Sequence, residues 1–386
     1  MTTPVLQRQL IGLYLVTATL MVGYGAIFSL LAEIRDQFGF TSTGIGFIGA
    51  AAFAAGFFAQ LGLSRFADTG YGSAMLKAGL AICILSTAWM AFAETLTEWL
   101  LSRGALGFGA GIVRPAIRRF IVIADPASAG RSLGVLTAYE TAGFLVGPVL
   151  AAIFNSTIGL SFTFVAMTGL LIAFSVFVFG IKIQAATNPP DKRIMISLAK
   201  KPEMQACIAL GVAFWITIGL FEAIWAIFLS DLGASQLFIG LTMSLFGIPM
   251  IFIAPIAGEY AQKRGVMNVA AVSIGVAIIC MCLYGVLTSL WLLCIPLAIH
   301  AIADSYTMPA VQLAVTQASG EDALASGQGL YGATSMAVGA VMAALGGWLY
   351  GSMGASGLWF IASGLMVITM MFAWWRGPAL RSPYQP

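Results

Sequence analysis

Twelve consecutive runs of mostly apolar residues constrain the fold of this 386-residue chain more than any other feature. Each run is about twenty residues long, the length that crosses the hydrocarbon core of a bilayer as one α-helix. Only 9% of the residues are charged, whereas soluble domains carry about 25%. The runs show no alternation of polar and apolar residues, which disfavours membrane β-strands. We therefore predict an all-α membrane protein with 12 transmembrane helices.

The longest polar interval lies at the middle of the chain, between the sixth and seventh runs. It extends from Gln184 to Glu203 and contains three prolines and four basic residues. We predict that this interval, residues 184–203, is a cytoplasmic linker between two six-helix bundles, residues 1–183 and 204–386. The spans are predicted near residues 10–32, 43–64, 74–93, 97–120, 132–154, 158–181, 205–229, 237–257, 267–289, 291–315, 327–350 and 356–375.

Lysine and arginine are distributed asymmetrically between alternate loops. With the N-terminus in the cytoplasm, Arg35 is the only basic residue assigned to an outer loop. Basic loops are retained on the cytoplasmic side during insertion, so we expect a multi-pass protein of the inner (plasma) membrane with both termini cytoplasmic. The residues assigned to the inner side are Arg8, Arg65, Lys77, Arg118, Arg119, Arg131, Lys182, Lys192, Arg193, Lys200, Lys201, Lys263, Arg264, Arg376 and Arg381.

The two halves of the chain align with each other at an offset of 194 residues over their first two spans. The pairs in register are Gly39 with Gly233, Gly46 with Gly240, and Ala67 with Ala261. Together with the central linker and the loop charges, this alignment indicates a duplicated unit. We therefore expect the two bundles to be pseudo-symmetric.

A polar turn lies between the second and third spans of each half. In the first half the turn, residues 64–72, contains Arg65 and Asp68; in the second, residues 258–265, Gln262 stands in place of the acid. The chain here resembles the major facilitator superfamily, whose signature at this point is a Gly-x-x-x-Asp-Arg-x-Gly-Arg-type turn. The base that follows the acid in the signature is a threonine in the first half. The resemblance implies a gating role for Asp68 and Arg65 and does not extend it to Gln262.

Two further motifs lie in the fourth and fifth spans. Arg103 begins the sequence Arg-Gly-Ala-Leu-Gly-Phe-Gly, similar to the family's Arg-x-x-x-Gly-x-Gly pattern. Gly143, Gly147 and Pro148 resemble the family's Gly-x-x-x-Gly-Pro motif, which is associated with proton-coupled exporters. The resemblance implies proton coupling for Arg103 and gating for the two glycines and the proline. Small residues at this spacing also occur at ordinary helix contacts, so packing alone is the alternative.

Ionisable side chains inside the spans are site candidates, because an ion in hydrocarbon costs at least about 2.5 to 3.5 kcal/mol unless it is paired or hydrated. In the first half these are Arg103, Arg114 and Glu140. Arg114 and Glu140 are each 13 residues from Ala127, near the turn between spans four and five, so an ion pair is predicted. Glu140 is then either a proton-titrating carboxylate or half of a permanent structural pair.

His300 and Asp304 are the polar candidates in the tenth span. They are four residues apart and therefore share one face of the helix. Histidine titrates near neutral pH and a carboxylate can orient its ring, which favours a proton relay. A self-satisfied polar pair that shapes a cavity is the alternative.

Glu222 in the seventh span has aromatic neighbours in the sequence, including Trp215, Phe221 and Trp225. An acid close to aromatic rings suits a cationic or amphipathic substrate, which it attracts by charge and by cation–π interaction. The alternative for the rings is ordinary packing against lipid or anchoring at the membrane interface. We predict that these four residues bind substrate.

The sequence thus predicts a major facilitator fold in which two bundles alternate access to a central cavity. The expected function is secondary active transport of small amphipathic molecules, with proton-coupled efflux favoured. A proton-coupled nutrient or metabolite permease of the same fold and a non-transporting sensor or receptor are the alternatives. No catalytic triad, nucleotide loop or metal-ligand spacing points to an enzyme, a metal or a cofactor. We expect a monomer whose partners are substrate, protons and lipid, and not nucleic acid.

Overall fold

The computed structural model describes residues 4–40, 42–188, 191, 193–234 and 236–383, and the regular elements in these ranges are helices. Each of the twelve predicted spans falls on a helical segment. Short 3-10 or π turns connect several of the helices. The helices are α1 (Pro4–Phe38), α2 (Ser42–Leu63), α3 (Gly72–Met90), α4 (Leu96–Ala124), α5 (Ala129–Ser175), α6 (Ile194–Lys200), α7 (Pro202–Asp231), α8 (Gln236–Arg264), α9 (Val266–Val286), α10 (Leu290–Ser319) and α11 (Leu324–Arg376).

Helices α5 and α11 each contain two predicted spans, separated by a single glycine. Gly159 has φ 80° and ψ 171°, and Gly354 has φ 71° and ψ −175°. A side chain at such φ values would clash with the backbone, so glycine alone reverses the chain here without strain. The tight reversal explains why no polar loop marks these two boundaries in the sequence.

Glycines with positive φ recur at matching positions of the two halves. Gly39 (φ 67°) corresponds to Gly233 (φ 84°) at the offset of 194 residues. Two further pairs lie 195 residues apart: Gly70 (φ 95°) with Gly265 (φ 91°), and Gly159 with Gly354. The left-handed conformation at three equivalent turns supports the duplication that the sequence alignment indicates.

The helices are apolar enough for a bilayer. Nine helical segments in the described residues have the length and composition to cross a membrane. Large apolar side chains are exposed on their outer faces, for example Phe252 in α8 (70% exposed) and Val272 in α9 (71%). Lipid is the medium that accepts such a surface, whereas an aqueous surface rarely carries so many large exposed apolar groups.

Helix α4 is fixed by local and by tertiary features. It begins with a capping box in which the Glu98 N–H donates to Thr95 Oγ1 (3.3 Å) and the Thr95 N–H donates to Glu98 Oε2 (2.9 Å). Gly111 lets α4 approach α2, because a Cβ there would lie 2.8 Å from the Cβ of Ala59. Small residues at helix contacts are the usual basis of close packing in membranes.

The described chain forms two compact units. The first consists of residues 1–125, 139–195 and 321–333. The second consists of residues 126–138, 196–320 and 334–386. The beginning of α5 therefore belongs to the second unit, which consists mostly of the second half of the sequence. The beginning of α11 belongs to the first unit, which consists mostly of the first half. The predicted boundaries at residues 183 and 204 remain a prediction.

Two details differ from the sequence expectation. The interval taken as a linker contains the short helix α6, so it is not wholly irregular. Arg118 and Arg119, assigned above to the inner side at the end of the fourth span, are buried in α4 with exposures of 6% and 1%. The side chain of each arginine pairs with a buried carboxylate, Arg118 with Glu140 and Arg119 with Asp68.

Candidate functional site

Asp68 is the centre of a buried polar cluster in the first compact unit. Its carboxylate accepts a charge-assisted hydrogen bond from Arg119 Nη1 (2.7 Å), and both side chains are almost fully buried. The backbone N–H groups of Ala325 (2.9 Å) and Ser326 (2.8 Å) also donate to it. The Ser326 hydroxyl adds a fourth donor at 2.6 Å. Asp68 thus caps the N-terminal end of α11, where free N–H groups attract an anion.

Arg119 connects this cluster to two further segments, the stretch of chain that follows α5 and the turn that precedes α11. Its Nε donates to the Gln184 carbonyl oxygen (3.1 Å), and its Nη1 donates to the Glu321 carbonyl oxygen (2.9 Å). Arg65, the other predicted gating residue of this turn, instead places its guanidinium 4.7 Å from the centre of the Phe66 ring. The structure therefore joins Asp68 to α4 and α11, and leaves Arg65 outside the cluster.

Gln262 holds the equivalent position in the second compact unit, where it caps α5. Its Oε1 accepts from the Gly130 N–H (2.9 Å), and its Nε2 donates to the Ala127 carbonyl oxygen (2.8 Å). Asp68 meets only donors, whereas Gln262 meets one donor and a carbonyl acceptor. An amide satisfies both partners and a carboxylate would not. This explains why the acid of the family signature is replaced in the second half.

Glu140 pairs with Arg118 and not with Arg114, which corrects the predicted ion pair. Glu140 Oε1 lies 3.7 Å from Arg118 Nη2, and both side chains are buried. Side chains on a helix point back towards its N-terminus. The glutamate therefore reaches towards the start of α5 while the arginine reaches away from the end of α4, and the two meet between their Cα levels.

Arg103 and Arg114 both lie close to one buried tyrosine. Their guanidinium carbons lie 4.8 and 5.7 Å from the centre of the Tyr24 ring. Arg114 Nη2 also donates to Met21 Sδ (2.8 Å). Arg103 is fully buried and Arg114 half-buried. The two cations and the ring form a second polar site in the first unit, with cation–π attraction as one of its stabilising contacts.

Gly143, Gly147 and Pro148 form the close contact between α5 and α1. A Cβ on Gly143 would overlap the Ala18 carbonyl, and one on Gly147 would overlap the Val22 carbonyl. Pro148 packs opposite Gly25 of α1. The packing alternative considered for this motif is therefore realised, and a gating role for the three residues stays a prediction.

His300 and Asp304 are buried together in the second unit. His300 Nε2 lies 3.6 Å from Asp304 Oδ2, slightly beyond a hydrogen bond. On the other side of the ring, His300 Nδ1 lies 3.2 Å from the Tyr284 hydroxyl, within hydrogen-bonding distance. The three side chains form a line from α9 along α10. Such a line has the groups that a proton path needs, because tyrosine, histidine and aspartate side chains can each gain or lose a proton.

Aromatic side chains enclose this histidine. The Phe221 ring meets the His300 ring edge-on at 5.7 Å, and the Phe246 ring does so at 5.5 Å. Trp225 stacks on Phe221 at 4.6 Å and donates its indole N–H to Thr242 Oγ1 (3.1 Å). Phe221 and Trp225, predicted to bind substrate, are therefore buried in the wall around His300.

Glu222 points away from that wall. It is exposed, and it shares a face of α7 with half-buried Trp215, seven residues earlier. Ile218 lies between them on the same face and packs with Trp215 against a cluster built on Phe214. The four predicted substrate residues thus separate into two pairs: Glu222 with Trp215, and Phe221 with Trp225.

Sequence reasoning missed several partners that complete these sites. Tyr284 and Tyr24 carried no signal, because a tyrosine in an apolar run resembles a packing residue. The arginines at 118 and 119 could have been suspected, since two charges near the end of a membrane helix need buried partners or water. In the described part of the chain, no group of three or more His, Cys, Asp or Glu residues is placed to hold a metal ion.

The class of this protein follows from three features: duplicated helical halves, glycines with positive φ at matched turns, and a buried capping acid after the second span. These features are typical of polytopic membrane proteins built from a repeated helical unit. The sequence profile of the Major Facilitator Superfamily matches residues 13–229 and 206–385. The chain belongs to the major facilitator superfamily.

Two proteins with related sequences extend this comparison. The chain is similar to the uncharacterized MFS-type transporter YuxJ of Bacillus subtilis (strain 168), with 25% identity over 255 residues, 61% of this chain and 64% of that protein. It is similar to the multidrug resistance protein MdtG of Dickeya zeae (strain Ech586), with 24% identity over 249 residues, 62% of this chain and 60% of that protein. The matched region spans less than two thirds of the length of either relative.

Two solved structures share the fold. The human organic anion transporter MFSD10 (TETRAN) superposes with a TM-score of 0.77 at 16% identity, covering 96% of this chain and 100% of that one. The transporter FucP, in an outward conformation, superposes with a TM-score of 0.76 at 14% identity, covering 94% and 98%. At these identities the likeness concerns the fold alone, and it confirms the predicted major facilitator fold of twelve helices in two pseudo-symmetric bundles.

Proposed function

We propose that the protein is a secondary active transporter that exports small amphipathic molecules in exchange for protons. The observation that carries the proposal is that each compact unit buries a carboxylate beside a basic side chain, Glu140 with Arg118 and Asp304 with His300. The first unit also buries Asp68 with Arg119, but that pair caps α11. A buried pair changes its interaction when one partner gains or loses a proton, so its protonation can be linked to a change in conformation. We propose that the protein works as a monomer in the inner membrane, with both termini cytoplasmic.

The substrate class is argued from α7. Glu222 offers an exposed carboxylate, and Trp215 offers a half-buried aromatic surface on the same face. This combination attracts a molecule with a cationic group and an apolar body. The name of the relative MdtG, a multidrug resistance protein, is consistent with such a substrate, and so is the Gly-x-x-x-Gly-Pro motif of α5.

The proposal is tested with protein reconstituted in vesicles, using a chemically diverse panel of compounds with and without an imposed proton gradient. We expect Glu140→Gln and Asp304→Asn to lose gradient-driven transport. Glu222→Gln should weaken the transport of cationic compounds more than that of neutral ones. Glu259→Gln is the matched control, because this carboxylate is exposed and already paired with Lys263 (2.6 Å).

Two outcomes would decide against the assignment. If Glu140→Gln and Asp304→Asn both retain full coupled transport, these carboxylates do not carry the protons. If the wild-type protein moves no compound in either direction, the sensor or receptor alternative takes precedence over transport.

A second candidate is the transport of organic anions, favoured by the position of Arg103 and Arg114 around Tyr24. Guanidinium groups bind carboxylates and phosphates well. MFSD10, which shares the fold alone, is described as an organic anion transporter. The same panel separates the two candidates by the charge of the transported compound, and the direction of accumulation separates an exporter from a permease.

A further inference from the structure

A groove of about 660 Å³ opens on the surface of the second unit between α8, α9 and α10. One end is polar and is formed by Tyr260, Arg264, Asn268 and Tyr306. Beyond it the walls are apolar, with Val272 71% exposed and Ile302 45% exposed. The groove is therefore amphipathic along its length, and its apolar part faces the region that lipid occupies.

Two adjacent cations at the end of α8 differ in their partners. Lys263 Nζ forms an ion pair with Glu259 Oε1 at 2.6 Å, so its charge is neutralised locally. In the part of the chain that the structure describes, Arg264 has no carboxylate partner, and its guanidinium carbon lies 5.8 Å from the centre of the Tyr260 ring. The groove thus presents one uncompensated positive charge at its polar end.

The polar end has the composition of a membrane interface. The Tyr260 and Tyr306 rings meet edge-on at 6.3 Å beside Arg264. Tyrosine and basic residues gather where headgroups meet hydrocarbon. From Asn268, α9 continues along the groove to Val276, about 12 Å at 1.5 Å per residue, which matches the upper part of an acyl chain.

We infer that this groove binds one anionic phospholipid, with its phosphate at Arg264 and an acyl chain along Val272 and Ile302. The positive charge at the polar end complements the headgroup, and the apolar walls complement the chain. Basic pockets between membrane helices are a known basis for recognition of anionic lipids. The inference concerns a lipid site and does not depend on the proposed transport activity.

The test uses full-length protein in phosphatidylcholine nanodiscs that contain a trace of phosphatidylglycerol with a photoactivatable group on its acyl chain. Cross-linked residues are mapped by peptide mass spectrometry, and phosphatidylcholine with the same group serves as the reference lipid. We expect labelling of α9 and α10 residues in the groove to be about fivefold higher for phosphatidylglycerol, the factor that one basic residue contributes near anionic lipid.

Three variants make the test specific. Arg264→Gln should abolish the preference for phosphatidylglycerol, whereas Lys263→Gln, which removes a charge already paired, should preserve it. Val272→Trp fills the apolar wall and should lower labelling by both lipids. Equal labelling by the two lipids in the wild-type protein, or a preference that survives Arg264→Gln, would overturn the inference. Displacement of both lipids by a transported compound would instead identify the groove as a substrate site.

Discussion

Asp68 and Gln262 occupy equivalent positions 194 residues apart, and each caps a helix from the opposite half of the sequence. Asp68, in the first half, caps the first turn of α11, and Gln262, in the second half, caps the first turn of α5. Asp68 receives only donors, including the Arg119 guanidinium. Gln262 both accepts and donates. The same backbone position thus carries a charged cap in one unit and a neutral cap in the other.

Replacing Asp68 with Asn should destabilise the protein strongly. The change leaves Arg119 buried without its carboxylate, and breaking a buried ion pair in this way costs about 3 to 5 kcal/mol. We expect a clear fall in the apparent Tm measured by scanning fluorimetry in detergent. Glu259→Gln removes an exposed pair, worth about 0 to 1 kcal/mol, and should leave the Tm nearly unchanged. Equal effects of the two variants would contradict the role given to Asp68.

Replacing Gln262 with Glu should also destabilise the protein, although it restores the acid of the family signature. The carboxylate would lose the hydrogen bond to the Ala127 carbonyl oxygen and set two acceptors against each other, at a cost of about 1 to 3 kcal/mol. A protonated carboxyl can donate to that oxygen again, so the loss should shrink as the pH falls. Scanning fluorimetry from pH 8 to pH 5 checks this, and an unchanged or higher Tm at pH 8 would argue against the capping geometry.

Replacing Gly143 with Ala should destabilise the contact between α5 and α1. The added methyl group overlaps the Ala18 carbonyl, and overpacking of this kind costs about 1 to 3 kcal/mol. Gly275→Ala in α9 is the matched control, because no atom lies within 4 Å of its Cβ position. That variant should be neutral or stabilising by roughly 0.5 to 1 kcal/mol. We therefore expect a lower apparent Tm for Gly143→Ala and an unchanged or higher apparent Tm for Gly275→Ala.

A double-mutant cycle should distinguish the two arginines proposed as partners of Glu140. Arg118→Gln and Glu140→Gln should be non-additive, with a coupling of about 0.5 to 3 kcal/mol, because their side chains interact directly. Arg114→Gln should be nearly additive with Glu140→Gln. Tm values for the single and double variants provide the measurement. If Glu140 were coupled to Arg114 and not to Arg118, the ion pair predicted from the sequence would be right and the one seen in the structure wrong.

The helix count, the repeat and the family could all be predicted from the sequence, because they depend on runs of about twenty apolar residues and on recurring glycines. The positions of Gly39 and Gly233 show this directly, since both were aligned in the sequence and both adopt positive φ. These features are local, so no knowledge of tertiary contacts is needed to find them.

The composition of the sites depended on tertiary contacts and was predicted only in part. His300 and Asp304 were expected together because four residues separate them on one helix. The pairing of Glu140 failed because residue counting gives the depth of a Cα atom and not the direction of a long side chain. Glu222 was grouped with Phe221 and Trp225 because the three are close in sequence. In the helix, Phe221 and Trp225 lie on a buried face of α7 and Glu222 lies on an exposed one.

The compact unit around Asp68 takes residues 321–333 from the second half of the sequence. A polypeptide ending at the central linker would lack the amides and the hydroxyl that bind this carboxylate. Its capping acid would be left exposed, and a separately produced second half would carry the complementary helix end with nothing to cap it. Splitting the gene at the linker should therefore give two fragments that fold properly only when they are made together.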